Sequence, residues 1–169
     1  MPTNKPTDSS LLSPKRPCDS AVTMTEMVLP SDTNALGTIF GGRIMAWIDI
    51  AAAMAAGKHS RRVVVTASLD ALHFKAPVKL GHYVHIQAMV NYVSRTSMDI
   101  GVRIESENPF TGERVHTATA YTTFVALDDN GRPTPAPPIM PETPDEIRRY
   151  EAAQKRRESR VRLADELKR

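Results

Sequence analysis

The 169-residue chain holds one cysteine, Cys18, one tryptophan, Trp47, and only 5% aromatic residues. A lone thiol forms no internal disulfide and no all-cysteine metal site, and in its Pro/Ser-rich surroundings it is incidental. Few aromatic rings leave few platforms on which bases stack. The net charge of +3 is spread over 22 basic and 19 acidic side chains, so no nucleic-acid partner is expected, although the balance suits an anionic small molecule. The longest nearly apolar run, residues 44–57, is interrupted by Asp49 and falls short of the ~18–20 residues that cross a bilayer, so no membrane partner is expected. The N-terminal stretch contains no apolar core of a secretory signal, which makes the cytoplasm the expected compartment. P-loop, H-E-x-x-H and G-x-S-x-G patterns are all missing, and with them the commonest phosphate, zinc-protease and serine-hydrolase chemistries.

What is present sorts into three segments. Residues 1–20, with four prolines before Asp19, have the composition of a flexible tail. Residues 21–133 carry the periodic patterns of one domain. "AVTMTEMVL" alternates with one slip, which predicts a strand with a bulge. A helix is expected from about Phe40–Gly42 to a left-handed cap at Gly57, with Phe40, Ile44, Trp47, Ile48, Ala51, Met54 and Ala55 as its core stripe. Its other face is alanine (Ala46, Ala52, Ala53, Ala56) rather than lysine or glutamate, as in a helix surrounded by protein. Four strands follow, at 63–74, 83–93, 97–107 and 114–127, joined by turn-forming stretches of which the last two are short enough for hairpins. One long helix and several antiparallel strands imply an α+β fold in which the helix forms the second layer of the core. Residues 134–169 read as a proline-rich connector and a charged helix, with Thr143 as cap, Pro144 at its first position, and Asp145 and Glu146 in its first turn. The apolar stripe of that helix (Ile147, Tyr150, Ala153, Val161, Leu163, Leu167) breaks around residues 156–160.

Within "NALGTIFGGRIMAWIDIAAAMAAG" one charge stands out. Asp49 lies about two turns, roughly 10–12 Å, inside the helix, too deep to be a cap. A buried carboxylate needs a partner such as Arg62 or Lys75, a raised pKa, or an edge facing a cavity. Both an ion pair and a catalytic group satisfy that requirement. Gly41 and Gly42 at the helix start offer free N–H groups, the positive end of the dipole, and close approach of a ligand to backbone; tight helix packing explains the pair equally well. Asn34 serves either as a turn former or as a hydrogen-bonding group of a site. His73, His85 and His116 fall in strands without ligand spacing, so no metal is assigned to them, and His73 is the second choice for acid–base work.

The stretches "LPSDTNALGTIFGGRIMAWIDIAAAMAA", "VVTASLDALHFKAPVKLGHYV", "VNYVSRTSMDIGVRIESENPFTGE" and "TATAYTTFVALDDNGRPTPAPP" together resemble the hotdog-fold acyl-CoA thioesterases, in the bacterial acyl-CoA hydrolase group related to brain-type acyl-CoA hydrolase. The resemblance implies an antiparallel sheet wrapped around one central helix. It implies edge-to-edge dimers assembling into a hexamer, a trimer of dimers, with active sites at the dimer interface. The family's catalytic carboxylate falls on Asp49 and its loop asparagine on Asn34, contributed across that interface. Carried over, Asp49 activates water as general base or attacks the thioester carbonyl itself, and amides near Gly41 and Gly42 stabilise the oxyanion. The CoA arm of the substrate is expected along "SRTS", with Arg95 toward phosphate and Thr96 or Ser97 donating, and Lys75 is a further basic contact. No metal or other cofactor is implied, since CoA is part of the substrate. The competing function is a non-catalytic acyl- or CoA-binding hotdog module; a hotdog hydratase would want a histidine near the helix start, where there is none.

Overall fold

The structure, a computed structural model, describes residues 12–70 and 72–168. Six strands form one antiparallel sheet: β1 (Val22–Met27), β2 (Val63–Leu69), β3 (His73–Phe74), β4 (Tyr83–Val93), β5 (Ser97–Glu107) and β6 (Arg114–Leu127). Their order across the sheet is β1-β4-β5-β6-β2, with β3 also paired to β6. Helix α1 (Gly41–Ser60) lies on one face and helix α2 (Pro144–Glu166) on the other.

The period-2 patterns set which side chains meet α1. Register pairs Ile86 with Ile104 and Ala88 with Val102, and on the next strand Val102 with Ala120 and Met98 with Phe124. All of these are buried, and they face Ile44, Trp47, Ile48, Ala51, Ala52, Ala55 and Ala56 of α1. The alanines let the helix axis approach the sheet closely, and Ile44 and Ile48 fill the remaining space; truncating either costs about 2–5 kcal/mol.

Several details differ from the sequence-based expectations. The bulge expected in β1 is absent: Val22–Met27 pairs with β4 in unbroken register, and the pattern slips because the chain leaves the sheet at Val28, whose N–H donates to His82 O at 3.0 Å. The stretch 63–74 is two strands. Four steps of chain from Leu69 to His73 oppose three from Thr122 to Thr119 on β6, so one extra residue separates β2 from β3. Helix α1 runs past Gly57 and ends at Arg61, which takes the left-handed conformation (φ 54°) and donates its N–H to Gly57 O at 2.7 Å. A basic side chain therefore occupies the cap, and Lys15 Nζ donates to His59 O at 2.6 Å, placing a cation at the negative end of the helix.

The core stripe of α1 is also rotated from expectation. Phe40 and Met54 are half exposed, whereas Ala52 and Ala56 are fully buried. Met45, Ile50 and Met54 thus form an open apolar face beside β2, an edge strand on which Val63 and Val65 are also exposed. The helix is covered on one side only within the protomer.

Residues 1–11 of the expected tail lie outside the described residues. The rest of that segment packs: Lys15 N donates to Pro138 O, Met140 N to Lys15 O, and Ser20, fully buried, donates its hydroxyl to Pro17 O and accepts from Val90 N. The proline-rich connector is thereby held against the domain, with further hydrogen bonds from Thr134 N to Ala126 O and from Ala136 N to Arg95 O. Helix α2 has the expected cap, and Thr143 and Glu146 form a reciprocal capping box. Its break in apolar pattern is filled by charge: Arg156 and Arg160 reach across to Asp99 and Asp70 on the sheet side. No helix among the described residues is long and apolar enough to cross a membrane.

Candidate active site

Asp49 projects from the open side of α1 toward edge strand β2. It is exposed in the protomer rather than buried, which corrects the expectation drawn from its apolar neighbours. Thr66, on β2, donates its hydroxyl to Asp49 Oδ1 at 2.7 Å. A neutral donor orients one carboxylate oxygen without neutralising the charge, as an ion pair with Lys75 would have done. Sequence reasoning misses Thr66, because no local pattern links it to Asp49; only strand pairing beside the helix brings the two together.

The helix start is built differently. Phe40, the residue preceding the helix, provides no side-chain cap, and the first turn contains no acid. Phe40 N donates to Asp32 O, Asp32 is buried, and Arg43 Nε meets Asp32 Oδ1 at 2.9 Å, while the amides of Gly41 and Gly42 have no hydrogen-bond partner among the described residues. A methyl group at Gly42 would meet nothing within 4 Å. Packing inside the protomer therefore does not demand glycine there. Beside it, Ile39, Gly41, Ile44, Phe74, Pro77 and Val78 line a cavity of about 310 Å³, with Lys75 at its edge and the Phe74 ring against Gly41.

Asn34 holds the loop that enters α1. Its Oδ1 accepts from Leu36 N (2.9 Å) and Thr38 N (3.3 Å), and its Nδ2 donates to Thr38 Oγ1 at 3.0 Å. Turn formation is thus one of its duties, and it lies at the helix-start end, away from Asp49.

The remaining expected contacts do not converge within one protomer. Lys75 N donates to Thr117 O, whereas Thr96 O accepts from Ala126 N, nine positions further along β6 and about 30 Å away. Arg95, Thr96 and Ser97 thus sit at the β4–β5 hairpin and Lys75 at the opposite end of the sheet. Neither Arg95 nor Lys75 has an ion-pair partner among the described residues. The histidines disperse: His85 sits between Thr25 Oγ1 at 3.0 Å and Glu107 Oε2 at 2.5 Å, His116 Nε2 meets Thr119 Oγ1 at 2.8 Å, and His73 is exposed.

Comparison with known proteins agrees with this architecture. Residues 36–112 match the model of the thioesterase superfamily. A Bacillus subtilis protein named as an uncharacterized acyl-CoA thioester hydrolase is 42% identical over 142 residues, spanning 84% of this chain and 83% of its own. The chain belongs to the thioesterase superfamily. Its fold is the hotdog of that superfamily, and its relatives place it in the acyl-CoA hydrolase group. The crystal structure of a hexameric acyl-CoA thioesterase superposes with a TM-score of 0.87 at 43% identity, covering 90% of this chain and 97% of that one. The Staphylococcus aureus acyl-CoA hydrolase, solved with butyryl-CoA, CoA and CoA disulfide, gives a TM-score of 0.85 at 40% identity over 91% of this chain and 94% of its own. That hydrolase has also been solved as three alanine variants, which replace an asparagine, then an aspartate, then a threonine in chain order. The intervals between those three positions are the intervals that separate Asn34, Asp49 and Thr66 here.

Proposed function

We propose that this chain hydrolyses acyl-CoA to a free carboxylic acid and CoA, at a site that two protomers complete. The observation that carries the reading is a distance. Gly42 and Asp49 are seven helical residues apart, about 10 Å along the axis, yet an oxyanion donor and a base acting on one thioester carbonyl must both lie within about 3 Å of the reacting atoms. One copy of α1 cannot serve both roles for one carbonyl. Asp49 of one protomer facing the helix start of another removes the conflict. The exposed Met45, Ile50 and Met54 around Asp49 and the open edge of β2 are the surfaces that such pairing covers.

In this site Asp49, held by Thr66, takes a proton from water as the water oxygen attacks the carbonyl carbon. The Gly41 and Gly42 amides of the facing protomer receive the developing oxyanion, an effect worth about 10²–10³-fold per donor. Asn34, on the same side as those amides, orients the water or the carboxylate. Collapse of the tetrahedral intermediate breaks the C–S bond, and the CoA thiolate leaves. The dimer also explains how Lys75 and the Arg95–Ser97 hairpin, far apart in one protomer, contact one anionic CoA: each comes from a different copy. Supporting the substrate class are the acyl-CoA hydrolases among the relatives and the CoA bound to the Staphylococcus aureus protein; supporting a hexamer is the hexameric neighbour.

The test is Asp49→Ala, followed by thiol release from an acyl-CoA panel from acetyl to palmitoyl. Turnover falls by at least about 10²-fold with CoA affinity and fold intact. Full turnover by the variant removes Asp49 from the mechanism, and CoA-dependent stabilisation of the wild type without any thiol release makes the protein a binding module instead.

A further inference from the structure

Helix α2 lies on the opposite face of the sheet from α1, so nothing in the proposed reaction needs it. Its anchoring is nonetheless unusual. Asp99, on the outer face of β5, is almost completely buried; Arg156 Nη2 meets its Oδ1 at 2.8 Å, and the Arg156 guanidinium stacks 3.5 Å over the Tyr121 ring. Burial pushes the Asp99 carboxyl up, and the two arginines above it pull it back. Ala153 is fully buried against the sheet, and Tyr150 packs edge-on to Tyr92 at 5.1 Å. These contacts dock the helix without Arg160.

Arg160 does something else. Its Nη1 lies 2.7 Å from Asp70 Oδ2 and 3.4 Å from Asp99 Oδ2, so its shorter contact is to the residue that directly follows β2. Asp70 stands at the point where the extra residue separates β2 from β3, and its N–H donates to Tyr121 O at 2.9 Å. A short way on, Phe74 lies against Gly41, and Lys75 edges the same cavity. The ladder is interrupted between Leu69 and His73, so the direction in which the chain re-enters β3 depends on how Asp70 is held. Both partners of the ion pair are about three-quarters shielded from solvent, at 24% and 22% exposure, which spares the pair the screening that weakens surface ion pairs.

We propose that Arg160 is a positioning residue for the substrate site: through Asp70 it fixes the segment that carries Phe74 and Lys75 to the start of α1. The helix beyond the sheet thereby sets the shape of the cavity beside the oxyanion amides, although no atom of it reaches that cavity. This inference rests on the proposed reading of the Gly41 and Gly42 amides, which the cavity adjoins, as the oxyanion site.

The experiment compares full-length Arg160→Ala, Arg160→Lys and Arg157→Ala with wild type, by hydrogen exchange of residues 69–75 and by steady-state acyl-CoA hydrolysis. Arg157 is the control, with no ion pair or hydrogen bond of its side chain among the described residues. Expected for Arg160→Ala is an exchange rate at 69–75 raised about fivefold, with residues 144–158 still protected. KM rises about fivefold while kcat changes less than about twofold, since Asp49 and Thr66 are untouched. Arg160→Lys, which keeps the charge, recovers most of both effects, and Arg157→Ala behaves as wild type. Unchanged exchange at 69–75 overturns the clamp, as does faster exchange over the whole of α2, which would mean plain undocking. Raised exchange with unchanged KM overturns its link to substrate. If the wild-type chain releases no thiol, the proposed activity fails on its own, and the exchange measurement still decides the clamp.

Discussion

A site shared between protomers makes a quantitative prediction by complementation. Asp49→Ala removes the carboxylate from one side of each site, and Asn34→Ala removes the amide on the helix-start side. Each purified variant is expected to lose at least about 10²-fold in turnover. When the two are mixed in equal amounts and the subunits exchange, about half of the dimers are mixed, and symmetry gives each mixed dimer two unlike sites. One carries both substitutions and is dead. The other is made of an unaltered Asp49 and an unaltered Asn34. Activity should therefore climb from about 1% toward about a quarter of wild type, at a rate set by subunit exchange. The axial separation of about 10 Å between Gly42 and Asp49 on one helix is what makes this recovery necessary. The assay is continuous thiol release after brief mild denaturant and dilution, with each variant alone treated identically. A mixture no more active than the mean of its components refutes the two-protomer site.

Other consequences follow from the same contacts. Thr66→Val removes the hydroxyl that holds Asp49 Oδ1, and kcat should drop about tenfold, the worth of one hydrogen bond to a charged group, while Thr66→Ser stays near wild type; equal kcat for Val and wild type would dismiss the orienting role. Val65→Lys places a charge on the exposed edge of β2 and should shift sedimentation toward the protomer, with activity lost in parallel. His59 is buried, and burial, aided by nearby Lys15, lowers its pKa below 6.5 despite the 2.7 Å contact with Pro137 O. A base whose folded pKa is depressed stabilises the fold above its unfolded value, so that contribution should fade as pH drops below about 6.5. Urea midpoints measured from pH 8 to pH 5 should show the decline, and His59→Gln should flatten it; an unaltered slope would assign the acid sensitivity elsewhere.

The places where sequence and structure diverge share a physical cause. Period-2 alternation in β4, β5 and β6 was legible because one face of each strand is buried and a one-residue slip would expose all of it. The α2 cap was legible because capping is local chemistry: Thr143 and Glu146 are three residues apart and satisfy each other's backbone. Helix α1 was harder. Its alanine-rich surface has no charged side to mark solvent, so the stripe assigned to the core was rotated, and Phe40 and Met54 turned out exposed where Ala52 and Ala56 are buried. The cap at Arg61 departs from the preference for glycine in the left-handed region, and a pattern search stops at Gly57.

What the sequence determined by itself is whatever depends on neighbours in the chain: strands and helices, the uncapped glycine start of α1, and the isolated charge at Asp49. Pairings between distant segments were decided only by tertiary structure. Thr66 reaches Asp49 because β2 runs along the edge beside α1, and Arg160 reaches Asp70 across 90 residues because α2 crosses the outer face of the sheet. Neither contact leaves a trace in local spacing, since a hydroxyl or a guanidinium in a strand or helix reads the same whether it faces water or a partner. The sheet also reversed one inference. An aspartate set among isoleucines and alanines reads as buried, but the helix has two apolar faces and the sheet covers only one, so Asp49 stands on the side that the sheet leaves exposed.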